Sequence, residues 1–187
     1  DRSAEAGYAA VLAYHQIADT AGATDPSTRP PALSRAVEES LRFADTFTNH
    51  PQRLYALTRT AEDLFELREY DEAIVVATRV LNNQPQPNAD LRRTALSVRA
   101  DAEFTQARFA EAEASYIALA PLLAADPGER SRVSEQLAIS IYRQGEAARE
   151  AGNAESAVAQ FLRIGVAVPN ASIRASAEYD AAAVLLE

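Results

Sequence analysis

Apolar and small residues recur along this chain at helical spacing, in pairs of segments separated by short polar breaks. Leu57, Ala61 and Leu64 lie four and three residues apart, and Ala73 and Val80 follow across the polar stretch Arg68–Glu72. Leu96 and Ala100 precede Ala112, Tyr116 and Leu119 in the same way, as Ile141 and Gly145 precede Ala157, Phe161 and Ile164. Residues three and four apart share one face of an α-helix, so each pair of segments reads as a helical hairpin. Nearer the N-terminus Tyr8–Thr20 and Leu33–Thr48 read as another pair, with Ala36, Phe43 and Phe47 inward. Ala171–Glu187 reads as a single helix. The pattern predicts one all-α domain over 1–187, with hairpins at about 3–50, 54–87, 90–127 and 129–169 and a terminal helix at 171–187.

The punctuation fits that reading. Gly152-Asn153 suits a turn between helices, since both residues tolerate a left-handed backbone. Pro85, Pro127 and Pro169 follow second helices, which proline cannot continue. Ala21–Pro31 (AGATDPSTRPP) reads as a long loop, either a functional or mobile segment or a tolerated insertion. Asn82–Asp90 and Ala124–Ser131 read as spacers that absorb unequal intervals: 39 residues from Ala73 to Ala112 and 45 from Ala112 to Ala157. The helix carrying Gly145 is expected to start early, near Glu129, and to be long. Asn88 or Asp90, Ser131 and Asn170 are candidate N-caps.

Composition strengthens the helical reading and narrows the partners. The chain has 41 alanines and few aromatics, and alanine both favours helix and lets helices approach closely. The net charge of −9 opposes binding to nucleic acid and to anionic membranes. All 18 cationic residues are arginine, and Lys, Cys, Met and Trp are absent, which fits either a GC-rich bacterial gene or a salt-adapted acidic surface. Without cysteine there is no disulfide and no thiolate metal site. No run of 18 apolar residues offers a membrane span. The absence of an initiator Met suggests a processed chain or an excised fragment, and the unpaired last helix a piece of a longer protein or an end that docks on something.

Gly145, Gly152, Ala157, Phe161 and Pro169, spaced 7, 5, 4 and 8, resemble the tetratricopeptide repeat, a helix–turn–helix unit of about 34 residues. In that register they stand at positions 8, 15, 20, 24 and 32. Leu57, Ala61, Leu64, Ala73 and Val80 give a second repeat at positions 4, 8, 11, 20 and 27, with Arg68 in place of the turn glycine and Ala77 in place of a large residue at 24. Leu96, Ala100, Ala112, Tyr116 and Leu119 give a third, in which Glu103 at position 11 departs from the pattern. The segment Phe161–Leu185 is similar to repeats of bacterial cell-envelope members of the family, a resemblance that favours the periplasm or envelope over the cytoplasm.

The resemblance implies an α-solenoid, a right-handed superhelix of hairpins, that binds a protein or peptide in a concave groove lined by first helices. The groove positions would carry Tyr55, Thr58, Glu62 and Phe65, then Ser97, Asp101 and Phe104, then Tyr142, Glu146 and Arg149. Phe65 and Phe104 either face the groove or pack between hairpins. Glu62, Asp101 and Glu146 would repel an acidic terminus, so a neutral or basic partner is favoured. The alternative is a purely structural segment of a longer repeat protein. A terminal hairpin lacking its second helix would expose Ala182, Val184 and Leu185 and promote self-association.

Catalytic chemistry has little foothold. Glu62-Asp63-Glu66, Glu69-Asp71-Glu72 and Glu111-Glu113 read as solvated helix faces. His15 and His50 lie in different hairpins, neither beside a nucleophile in a known arrangement. There is no phosphate-binding glycine loop, HExxH or GxSxG. The expectation is therefore a binding protein that is not an enzyme, with no catalytic residue, cofactor or metal.

Overall fold

Alanine-rich faces and capping residues together decide where this chain is helical. The computed structural model describes residues 2–123 and 126–186, and among these every regular element is a helix. They are α1 (Arg2–Thr24), α2 (Arg29–Thr46), α3 (Arg53–Glu66), α4 (Tyr70–Leu81), α5 (Ala89–Thr105), α6 (Phe109–Leu119), α7 (Pro127–Glu150), α8 (Ala154–Ala167) and α9 (Arg174–Leu186). The first two residues of the expected spacer Ala124–Ser131, and the last of the expected terminal helix, lie outside the described residues.

The long loop expected over Ala21–Pro31 is not there. Helix α1 runs on to Thr24, and Asp25 caps a single 3-10 turn over Pro26–Thr28, its carboxylate accepting from the Ser27 amide at 2.9 Å. Pro30 and Pro31 fall in the first turn of α2, where backbone N–H groups have no helical partner, so proline removes nothing. Residue types that usually mark loops here mark one helix end and the next helix start. The other caps are Asn88, which accepts from the Leu91 amide, Asp126, which starts α7 before Ser131, and Asn153. Asn170 caps nothing: α9 begins at Arg174, and the Glu135 carboxylate takes the Ser172 amide instead.

Three hairpin turns share one geometry. Arg68, Ala107 and Gly152 each stand at position 15 and have φ of 64°, 57° and 73°. In each turn the following amide reaches back five residues, Glu69 to Leu64, Arg108 to Glu103 and Asn153 to Ala148, at 2.8–2.9 Å. The left-handed residue itself donates three residues back, to Phe65, Phe104 and Arg149. This is the Schellman closure, which satisfies carbonyls a helix end leaves open. Asn153, expected to share the left-handed backbone, has φ −95° and instead caps α8, accepting from the Ser156 amide.

The chain divides into two compact units, Asp1–Ala102 and Glu103–Glu187. In the first, α1, α2, α3 and α4 pack in sequence. Leu57, Ala61 and Leu64 of α3 meet Ala73, Val76, Ala77 and Val80 of α4 and Leu91, Ala95 and Val98 of α5. In the second, α6, α7, α8 and α9 pack in sequence around Ile141, Phe161, Ile164, Ala177 and Ala181. Glu113 on α6 ties three helices there, accepting both Arg163 amino groups at 2.8 and 2.9 Å and Gln144 at 2.7 Å. Glu103, discordant by residue type, is buried, and its carboxylate accepts the Ser115 hydroxyl at 2.5 Å.

Residues at positions 4, 8, 20, 24 and 27 of the three repeats are all buried. Gly145 shows what the small ones do: a Cβ there would sit 2.6 Å from the Phe161 ring, so ring and backbone occupy adjoining space. At the C-terminal end the expected exposure of Val184 is incorrect. It points into the unit with Ala177 and Ala181, one turn apart on the face toward α8, and is 6% exposed, whereas Leu185 and Leu186 face solvent.

Two stability predictions follow from this geometry. Gly145→Ala gains about 1 kcal/mol of helix propensity but overpacks Phe161, a loss of about 1–3 kcal/mol. Urea unfolding is expected to show net destabilisation, and the second substitution Phe161→Leu to recover part of it. Ala107→Gly relieves a left-handed alanine and is expected to raise stability by about 0.5–1 kcal/mol, while Gly152→Ala lowers it by a similar amount.

Candidate functional site

Within the first unit, three first helices of successive hairpins, α1, α3 and α5, contribute to one face. Polar links hold α1 to α3, the weakest of them Arg59 on Asp19 at 3.4 Å. His15 and Asp63, both almost fully buried, approach to 2.7 Å through Nε2 and Oδ2, while His15 Nδ1 donates to the Val11 carbonyl at 2.8 Å. A carbonyl only accepts, so Nδ1 is the donor in that bond. The second link is Arg29, at the start of α2, which bonds Asp19 of α1 at 2.9 Å and Glu66 of α3 at 2.5 Å. This guanidinium holds both carboxyls below the usual carboxylate range. Asn88, before α5, donates to the Tyr55 hydroxyl of α3 at 3.4 Å.

These helices enclose a cleft of about 340 Å³. Helix α1 contributes Tyr8, Val11, Leu12 and His15; α3 contributes Tyr55, Ala56, Thr58, Arg59 and Glu62; α5 contributes Leu91 and Thr94. The walls are mostly apolar, and two large residues at the mouth remain open to solvent, Leu12 at 53% and Tyr55 at 50%. Thr58 is buried with its hydroxyl committed to the Leu54 carbonyl.

Arg59 and Glu62 line the cleft beside His15, and the neighbouring carboxylates are paired within the fold. Asp63 is matched by His15, and Asp19 and Glu66 are matched by Arg29 and by Arg59, whose Nη2 lies 3.4 Å from Asp19. Glu62 makes no hydrogen bond or ion pair among the described residues. Partial burial and the adjacent Asp63 carboxylate push its pKa up, against a smaller opposing pull from Arg59. A carboxylate placed where the protein disfavours its charge is a recognised mark of functional positions.

Of the residues expected in a groove, Tyr55, Thr58 and Glu62 lie together in this cleft. Phe65 does not line it: its ring meets Tyr70 edge-on at 5.3 Å, and Phe104 meets Phe109 at 5.5 Å in the corresponding turn of the second unit, so both clasp their own hairpins. Ser97 and Asp101 lie further along α5, half-buried and outside the cleft lining. Tyr142, Glu146 and Arg149 lie on α7. The Tyr142 hydroxyl donates to Asp180 of α9 at 2.5 Å, which together with burial pushes its pKa up to about 12, and Arg149 approaches the same carboxylate at 3.8 Å. Glu146 pairs with Arg143 at 2.8 Å. Sequence reasoning missed Tyr8, Leu12, His15, Arg59, Leu91 and Thr94. Tyr8, Leu12 and His15 stand four and three residues apart, a readable stripe that the irregular first hairpin kept out of the repeat register.

Both nitrogens of His15 are engaged, so it has none left to take a proton from a hydroxyl. His50 Nδ1 accepts the Gln52 amide, and its ring sits among Tyr8 and Phe43. Among the described residues no three His, Asp or Glu side chains are grouped to hold a metal ion, and no helix is long and apolar enough to cross a membrane. No protein-family model and no curated protein matches the chain.

Glu62 gives a pH-dependent prediction. A carboxyl whose pKa is raised on folding contributes stability at low pH that is lost as pH rises through the folded-state pKa. Glu62→Gln is therefore expected to raise the unfolding midpoint at pH 7, and the gain to vanish below about pH 4, where the carboxyl is protonated in both states. Urea titrations at the two pH values check this.

Proposed function

We propose that this chain is a non-enzymatic binding scaffold of tetratricopeptide-type hairpins, an α-solenoid, and that its first unit receives a segment of a protein partner in the cleft of α1, α3 and α5. The observation that carries the reading is the composition of that cleft: every residue lining it comes from the first helix of a hairpin. That is the face on which the family presents partners. The repeat type is supported by the three left-handed turns at one register position and by the small residues at positions 8 and 20. Apolar walls with an exposed tyrosine and leucine suit a peptide side chain, since amphipathic aromatics give large contact area at low entropic cost. A neutral or basic segment is the partner that the acidic surface favours.

A structural role is the second reading, and one observation favours it for the second unit. There the polar residues of α7 that would face a partner, Tyr142 and Arg149, are spent on Asp180 of the same unit.

The test is selection from a random peptide library displayed against the 187-residue chain. The wild type is expected to enrich a recurrent motif, which Leu12→Asp and Tyr55→Asp abolish and Val166→Asp, on exposed α8, leaves intact. No enrichment, or enrichment indifferent to the cleft variants in folded protein, overturns the reading.

A further inference from the structure

We infer that α9 pairs with α9 of a second copy of this chain, antiparallel and crossing at Ala182, through the face that bears Ala175, Tyr179, Ala182 and Leu186. The surface lies in the second unit, so the inference stands apart from the cleft reading. It gives the self-association expected from the sequence a different face, since Val184 is turned inward.

The four residues are spaced 4, 3 and 4 along the helix and lie opposite Ala177, Ala181 and Val184, which are buried in the unit. All four are exposed, Tyr179 at 75% and Leu186 at 89%. Elsewhere the chain solvates a face so placed with charge. Opposite Leu57, Ala61 and Leu64, α3 carries Arg59, Glu62 and Glu66; opposite Ile141 and Gly145, α7 carries Arg143, Glu146 and Glu150. On α9 the same face has no charged residue. The ions that α9 does carry are matched inside the unit, Arg174 with Glu178 at 2.7 Å and Asp180 with Tyr142 and Arg149. An apolar, charge-free helix face kept exposed on a chain of net charge −9 is a contact surface.

The spacing identifies the occupant. A two-fold partner presents the same surface reversed, so the surface has to complement itself. Tyr179 stands three residues before Ala182 and Leu186 four after it, so reversal about Ala182 sets each Tyr179 beside the partner's Leu186. The alanines at the crossing let the helix axes approach to about 8 Å. Opposed helix dipoles favour the antiparallel sense, and no charge is desolvated. The contact is much smaller than the about 20–30 residues a side of a standard interface, so the dimer is weak, with Kd on the order of 10–100 µM.

Sedimentation of the 187-residue chain from about 10 µM to about 1 mM is expected to show a monomer–dimer equilibrium that stops at two. Added salt tightens it by screening two acidic copies from each other. Tyr179→Asp and Leu186→Asp each weaken it about tenfold or more, with the urea midpoint of the monomer unchanged because both positions are exposed. Leu12→Asp in the cleft and Val166→Asp on α8 leave it intact. The chain has no cysteine, so single-cysteine variants report the geometry. Under mild oxidation Ala182→Cys is expected to link two copies, whereas Ala159→Cys, also exposed but on α8, and Ala175→Cys, which only a parallel pair brings together, are not. A monomer throughout, growth beyond two copies, a dimer indifferent to Tyr179→Asp, or linkage through Ala175→Cys overturns the pairing. So does loss of the dimer in Leu12→Asp, which would seat α9 in the cleft of another copy.

Discussion

Two helices in this protein approach until the side chain of one rests on the backbone of the next, and the rest of each unit depends on that closeness. Phe161 lies where a Gly145 side chain would be. In the first unit the corresponding positions carry Ala61 and Ala77, small residues on both helices, buried in one core. A hairpin built this way buries its apolar stripe on one side only and must lay its remaining faces against neighbours. The sequential packing within each unit, and the long-range bonds between first helices, are ways of meeting that requirement.

The two units meet it with different polar chemistry. In the first, the link between α1 and α3 is a nearly dry histidine–carboxylate pair reinforced at its open end by Arg29. Removing one partner of such a pair leaves the other stranded, so it fixes which helix faces come together more than it adds net stability. In the second, Asp180 gathers Tyr142 and Arg149 at a more open site. In the first unit Glu62 stays exposed on α3 beside Arg59, without a hydrogen bond or ion pair among the described residues.

Much of this was legible in the sequence, for identifiable reasons. The all-α class followed from periodicity and alanine content, and the left-handed turn at Gly152 from the residue itself. Arg68 and Ala107 adopt the same backbone without any compositional signal, because the hydrogen bonds closing the turn outweigh a local penalty of about 1 kcal/mol. The Ala21–Pro31 segment was misread because proline and aspartate mark helix starts as well as loops, and only the neighbouring amides distinguish the two. Val184 was misread as exposed because a lone helix was assumed to lack cover, whereas the face it shares with Ala177 and Ala181 lies against α8. For the cleft, α3 could be read from its register. The α1 contribution could not, since His15 gains its meaning from Asp63, 48 residues away.

The recurring turn has an evolutionary corollary. From the left-handed residue to the buried alanine of the second helix is the same five-residue step in all three hairpins, Arg68 to Ala73, Ala107 to Ala112 and Gly152 to Ala157, although the hairpins themselves are unevenly spaced along the chain. An insertion within that step would rotate the second helix and turn its buried face to water, whereas the first helix can lengthen at its far end without disturbing the turn. The uneven spacing arises that way, since α5 has 17 residues and α7 has 24, and divergent sequences of this architecture should be aligned on their turns before their helices.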